Sequence, residues 1–103
     1  MRNYQPEGVL NMKFNPGQLV MTRGVNDLIA SNEEFAKHVM LSIRRHVAGD
    51  WGGVCDEDRV TNEFSLQHGE RLFSVYKKEG VPTIWIITEW DRSVTTALFP
   101  EEY

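Results

Sequence analysis

His46 and Asp50 stand four residues apart, and Glu89, Asp91, Arg92 and Ser93 crowd into one short stretch. A carboxylate beside an imidazole can fix its tautomer and raise its pKa, as a general base requires. The same pair also has a structural reading. A histidine suits the negative end of a helix dipole, and an aspartate after Gly49 can bond local backbone N–H groups. Glu89 and Asp91 are two apart, so on a strand they share a face. Joined by Asp50 or Asp58, they would offer the oxygen ligands that Mg²⁺ prefers, and with His46 as base a metal-dependent hydrolase or nuclease. The same spacing fits a plain turn in which Asp91 bonds the backbone and Arg92 pairs with Glu89.

Other nucleophiles lack partners. Ser93, Thr95 and Thr96 have no marked base, and no Gly-x-Ser-x-Gly elbow occurs. Gly49, Gly52 and Gly53 lack the lysine and serine of a phosphate-binding loop. Cys55 is the single cysteine, which leaves no internal disulfide or cysteine-based zinc site and fits a reducing cytoplasm. No cofactor is implied. Trp51 in a loop and Trp90 near a turn are candidates for exposure, and an exposed tryptophan beside arginine is a common binding hot spot. The candidate binding set is therefore Trp51, Trp90, Asp91, Arg92 and Ser93, with Arg92 expected at an exposed hairpin tip. Strand residue Trp85 is expected in the core.

These groups hang on a few elements. Thr83 to Phe99 is rich in Ile, Trp, Thr and Val without Gly or Pro, and predicts two strands joined at Asp91-Arg92. Arg71 to Lys77 predicts a strand with Leu72 and Tyr76 on one face, Phe73 and Val75 on the other. Gln18 to Thr22 predicts a short strand stopped at Arg23-Gly24. Ser31 and Glu34 form a capping-box pattern, and Phe35, Val39, Ile43 and Val47 recur every four residues, predicting a helix that stops at Gly49. Asp56 to Gln67 predicts a second helix, with anions in its first turn, Val60 and Phe64 inward, and Gly69 as its stop. The expected architecture is a single α+β domain over residues 18–103, ordered β-α-α-β-β-β. Its sheet is expected to be antiparallel, with two helices on one face. Residues 1–17 are expected to form an irregular arm.

The chain has 103 residues, enough for one domain with its own core. A net charge of −4 disfavours a binder that works by neutralising phosphates. No apolar stretch is long enough to span a bilayer, and Met1 to Pro6 lacks the apolar run of a secretory signal. These features predict a cytoplasmic protein with no membrane partner.

Two strings carry a resemblance: RHVAGDWG at Arg45 to Gly52 and WIITEWDRSVTTALFPEEY at Trp85 to Tyr103. They resemble a family of small proteins borne on plasmids and other mobile elements. The pattern is Arg-His, two variable residues, Gly-Asp-Trp-Gly and a helix, then Thr-Glu, Asp-Arg-Ser, Thr-Thr and Pro-Glu-Glu-Tyr. The match covers about Phe14 to Tyr103, and departs at Ala97 and Phe99, where other aliphatic residues are usual. The resemblance implies a mobile-element accessory and supplies no activity. The leading expectation is a non-enzymatic interaction protein that binds a protein partner or itself. The rival is the metal-dependent hydrolase using Asp50, Glu89 and Asp91.

Overall fold

The computed structural model describes residues 12–103. The first part of the expected arm, 1–11, lies outside the described residues, and 12–17 contain neither helix nor strand. The elements are β1 (Gln18–Met21), α1 (Arg23–Ser31), α2 (Glu33–Val47), α3 (Asp56–His68), β2 (Leu72–Lys78), β3 (Val81–Thr88) and β4 (Val94–Leu98). A 3-10 turn at Pro100–Glu102 follows. The class is α+β.

The sheet order is β1-β4-β3-β2. The meander of β2, β3 and β4 is antiparallel, as short turns require. The sheet as a whole is mixed, which corrects the antiparallel expectation: β1 runs parallel to β4, with Gln18 opposite Val94 and Met21 opposite Ala97. Parallel pairing needs a long crossover, and the three helices between β1 and β2 carry the chain across.

The third helix was not expected. Thr22 ends the strand and opens α1 at once, its Oγ1 accepting from Val25 N–H at 3.3 Å. Ser31 therefore closes α1 and caps nothing after it. Asn32 caps α2 instead, its Oδ1 accepting from Phe35 N–H at 3.0 Å.

α1 and α2 cover one face of the sheet. Val25, Phe35 and Val39 meet Tyr76, Ile84, Ile86 and Ala97, with Ile43 packed at the margin. α3 does something else. Val60 and Phe64 are 69% and 56% exposed, which corrects their placement in the core. The docked side of α3 presents Asn62, Ser65 and Leu66, spaced three and four apart. The exposed Phe64 ring stacks on His68 one turn later, with centroids 3.9 Å apart.

α3 runs beside the free edge of β2. Asn62 Nδ2 donates to Phe73 C=O at 2.6 Å, and Phe73 N–H donates to Asn62 Oδ1 at 3.1 Å. One side-chain amide thus serves as a missing strand. Just beyond, Gly53 N–H donates to Val75 C=O and Val75 N–H donates to Trp51 C=O. β2 is an edge strand whose edge is filled from within the chain.

Asn62→Ala strips both groups of Phe73 at once and should lower stability by about 1–3 kcal/mol. Val60→Ala should change it by less than about 0.5 kcal/mol. Urea unfolding of the two variants checks which face of α3 is docked.

Candidate functional site

The string from Arg45 to Gly52 folds as one unit. Asp50 receives Arg45 through two bonds, Nε–H to Oδ2 at 2.7 Å and Nη2–H to Oδ1 at 3.1 Å. Its Oδ1 also accepts from Gly52 N–H at 3.1 Å. The Arg45 guanidinium holds the Asp50 carboxyl below the usual carboxylate range, with Gly52 N–H helping. Arg45 also lies over the Tyr76 ring, 5.0 Å from its centroid. Burial pushes the Tyr76 hydroxyl's pKa up, so it remains a donor, to Asp50 C=O at 2.6 Å. Gly52 has φ +70, and a Cβ there would sit 2.0 Å from Val75 C=O, so only glycine fits. Trp51 is buried, which removes it from the binding set, and its Nε1–H donates to Glu63 at 2.8 Å.

His46 faces away from Asp50 chemistry altogether. Its ring is fully buried, with Nδ1 2.6 Å from Ser74 Oγ and Nε2 2.8 Å from Thr88 Oγ1. Thr88 Oγ1 lies 2.7 Å from Thr95 Oγ1, and Thr95 donates to Pro16 C=O at 2.7 Å. A carbonyl only accepts, and each hydroxyl has one proton. Thr95 spends its proton on Pro16, so Thr88 must donate to Thr95 and His46 Nε2–H to Thr88. The proton order from Nε2 outward follows from its last acceptor, and with the ring kept neutral by burial, Nδ1 accepts from Ser74. Burial, helped by Arg92, pulls the His46 pKa down to about 3, the opposite of the shift a general base needs. No substrate reaches this ring.

The second cluster is also local architecture. Asp91 Oδ1 accepts from Ser93 N–H at 3.1 Å and from Ser93 Oγ–H at 2.6 Å, and these bonds lower the Asp91 pKa. Arg92 was expected free at a hairpin tip. It adopts φ +61, and its guanidinium donates to the carbonyls of Ser65, Glu70, Glu89 and Trp90. Ser65 and Glu70 flank the end of α3, where a cation favours the helix dipole. Arg92 thereby pins the β3–β4 turn to α3, with its guanidinium over the Phe14 ring at 5.7 Å. Trp90 is 65% exposed at this turn, beside exposed Asp91 and Ser93.

The proposed metal ligands are not brought together. Asp50 is paired with Arg45 and Asp91 with Ser93, and no group of three or more His, Cys, Asp or Glu among the described residues could hold a metal ion. His38 is buried on α2 with Nε2 unpartnered among the described residues, and desolvation lowers its pKa.

Among the described residues, the sheet face away from α1 and α2 is left partly open, with Ile87 and Leu98 buried on it. Period-2 alternation sends Phe73, Val75, Lys77, Thr83 and Trp85 there. Trp85 is half-buried on this face, a correction to its core placement. Phe73 meets it edge-on at 5.0 Å, and Tyr103 does so at 5.6 Å. Arg71 donates to Tyr103 Oη at 2.9 Å and lies over its ring. A recess of about 440 Å³ opens beside Val75, Thr83 and Trp85, with Lys77 on its wall. The sequence pattern gave the alternation, and the missing signal was which face the helices would take.

The described residues thus form an α+β domain with one sheet face covered by helices and the other partly open. Comparison with protein-family models, curated proteins and solved structures finds no match to it. No helix among the described residues is long and apolar enough to cross a membrane.

Two measurements follow. The unfolded chain takes up a proton at His46 near pH 6.5 while the folded chain refuses it until about pH 3. Folding therefore loses stability on acidification through that window, by about 3 kcal/mol between pH 7 and pH 4 from this residue. Urea midpoints across that range should fall, and His46→Gln should make the slope shallower. Arg92→Ala should cost about 1–3 kcal/mol, and Arg92→Lys nearly as much, because an ammonium cannot span four carbonyls. An unchanged melting temperature in Arg92→Ala would return Arg92 to the free surface.

Proposed function

We propose that this chain is a non-enzymatic interaction protein, a cytoplasmic accessory of a mobile genetic element, that binds a protein partner or itself. The observation that carries the binding reading is the open sheet face with its aromatic row of Phe73, Trp85 and Tyr103. Rigid aromatic rings on a strand platform supply contact area at small entropic cost, and such rings are typical anchors of protein interfaces. Arg71 and Lys77 flank the row, and their charge favours a partner surface that is apolar with an acidic rim. The exposed Trp90 lies at the opposite end of β3, a second apolar contact point beyond the row. The mobile-element setting rests on the resemblance of the two strings alone.

The catalytic alternative finds no comparable support. Its base is a sealed neutral imidazole, and two of its three carboxylates are engaged by neighbours.

Affinity capture from host lysate, followed by calorimetry with each purified captured protein, tests the reading. The double variant Tyr103→Ala, Lys77→Glu should weaken a genuine partner by about tenfold or more, with little change in melting temperature. Undiminished affinity in that variant would move the interface elsewhere. A monomeric protein that captures nothing specific would overturn the interaction reading itself.

A further inference from the structure

α3 docks by its polar side and leaves its apolar side in solvent. At 3.6 residues per turn, Glu57, Val60, Phe64 and His68 share one face, opposite Asn62, Ser65 and Leu66. Val60 and Phe64 each keep more than half of their surface exposed. The Phe64 ring is braced by His68, whose ring stacks on it. Trp90 adjoins this face. The Arg92 guanidinium bonds Ser65 C=O and Trp90 C=O together, which holds the β3–β4 turn against the C-terminal half of α3. Trp90 is exposed there as well. Single exposed apolar residues are ordinary, but three held side by side on fixed backbone make a patch. Asn62 and Arg92 fix that backbone, so the patch needs no ordering before it is used.

The charge around this patch is one-sided. Residues 56–70 hold five carboxylates, Asp56, Glu57, Asp58, Glu63 and Glu70, against the single arginine Arg59. That excess equals the net charge of −4 of all 103 residues, so the rest of the chain is balanced and the imbalance sits on α3. All five carboxylate residues are exposed. Arg59 answers Asp56 alone, at 4.0 Å in an exposed pair. The adjoining turn adds Glu89 and Asp91 against Arg92, whose guanidinium is set among main-chain carbonyls.

We propose that the outer face of α3, together with Trp90, docks a lysine- or arginine-rich amphipathic segment of a partner protein. Apolar side chains of that segment would lie on Val60 and Phe64, and its cations would meet Glu57 at one end and Glu70 and Asp91 at the other. From Glu57 to His68 the helix rises about 16 Å, the length of roughly three turns of a partner helix laid along it. The exposed indole adds a ring face that favours a guanidinium. Charge decides among the possible occupants. A second copy of the same face would bring five carboxylates against five, and nucleic-acid phosphates would be repelled in the same way. An apolar segment bearing acids meets the same repulsion. The stripe shares no residue with the aromatic row of Phe73, Trp85 and Tyr103 and calls for the opposite charge, so the two readings fail independently.

Amide NMR titration of the full chain with a synthetic peptide of leucine and lysine, patterned as an amphipathic helix, tests the proposal. Two controls accompany it: the same peptide with glutamate in place of lysine, and spermine, which carries charge without apolar side chains. The leucine–lysine peptide should give saturable shifts at Glu57, Val60, Phe64, His68 and the Trp90 indole N–H, and the controls should not. Its affinity should fall by about tenfold between about 0.05 M and 0.5 M salt. The double variant Val60→Ser, Phe64→Ser should bind about tenfold more weakly or worse, with little change in melting temperature, since both side chains are exposed. Glu57→Lys should weaken binding and flatten its salt dependence. No saturable shift with the leucine–lysine peptide overturns the proposal. An equal response to the glutamate peptide or to spermine overturns it too, and so do shifts centred on Phe73, Trp85 and Tyr103 instead of α3. Undiminished affinity in the double variant has the same force. Should the double variant fail to fold, Glu57→Lys decides: affinity unchanged in that variant overturns the docking face.

Discussion

A buried imidazole has two nitrogens, and both need partners where no water reaches. His46 draws those partners from β2 through Ser74 and from β3 through Thr88. Thr88 in turn binds Thr95 of β4, and Thr95 reaches Pro16, just before β1. One connected set of hydrogen bonds therefore ties α2, three strands and the entry to the fourth. An unpaired member would leave a desolvated polar group costing about 1–3 kcal/mol, so the whole set is kept or lost together. This is a constraint of geometry more than of strength. It fixes the register of Thr88 against Thr95 and the rotation of α2 about its own axis.

The residues of the two resembling strings acquire architectural roles on this scaffold. Arg45 and Asp50 lock to each other, Trp51 enters the core, and Gly52 lets the loop lie against β2. Asp91 and Ser93 shape the turn that Arg92 fastens to α3. Glu102 folds back to accept from Phe99 N–H at 2.8 Å and from the Thr22 hydroxyl at 2.7 Å, which joins the chain's last turn to the start of α1. Motifs that invite a catalytic interpretation are here the fastenings of a small domain. Small domains need such fastenings, since their cores bury less of the chain.

Much of this was legible in the residues. The four-residue recurrence from Phe35 to Val47 marked α2, and alternation in Leu72–Tyr76 marked the two faces of β2. Gly49 and Gly69 stopped the helices where positive φ was needed. What was hidden depends on partners far along the chain. The burial of His46 is decided by hydroxyls 28 and 42 residues away. Arg92 looked free because its four acceptors are main-chain carbonyls, which carry no side-chain signature. Val60 and Phe64 mimicked an inward stripe, but α3 docks by polar contact with a strand edge, so Asn62 and Ser65 take the inner side. α1 was masked by the adjacency of Ser31 and Asn32, two competent caps of which the second is used. Strand neighbours leave no local trace, and the parallel pairing of β1 was invisible for that reason.

The closed edge of β2 has a consequence for how large an assembly can grow. A sheet open on both sides is a bifunctional monomer: each addition exposes a new end, and the product is a fibre. Here one end is capped within the chain by Asn62 and the Trp51–Gly53 loop, so the molecule is at most monofunctional in the polymer chemist's sense. A molecule with one sheet edge capped can join at most one neighbour by strand pairing, so growth of that kind would stop at two. A fault in the Asn62 cap would do more than loosen α3; it would turn a chain terminator into a propagating unit.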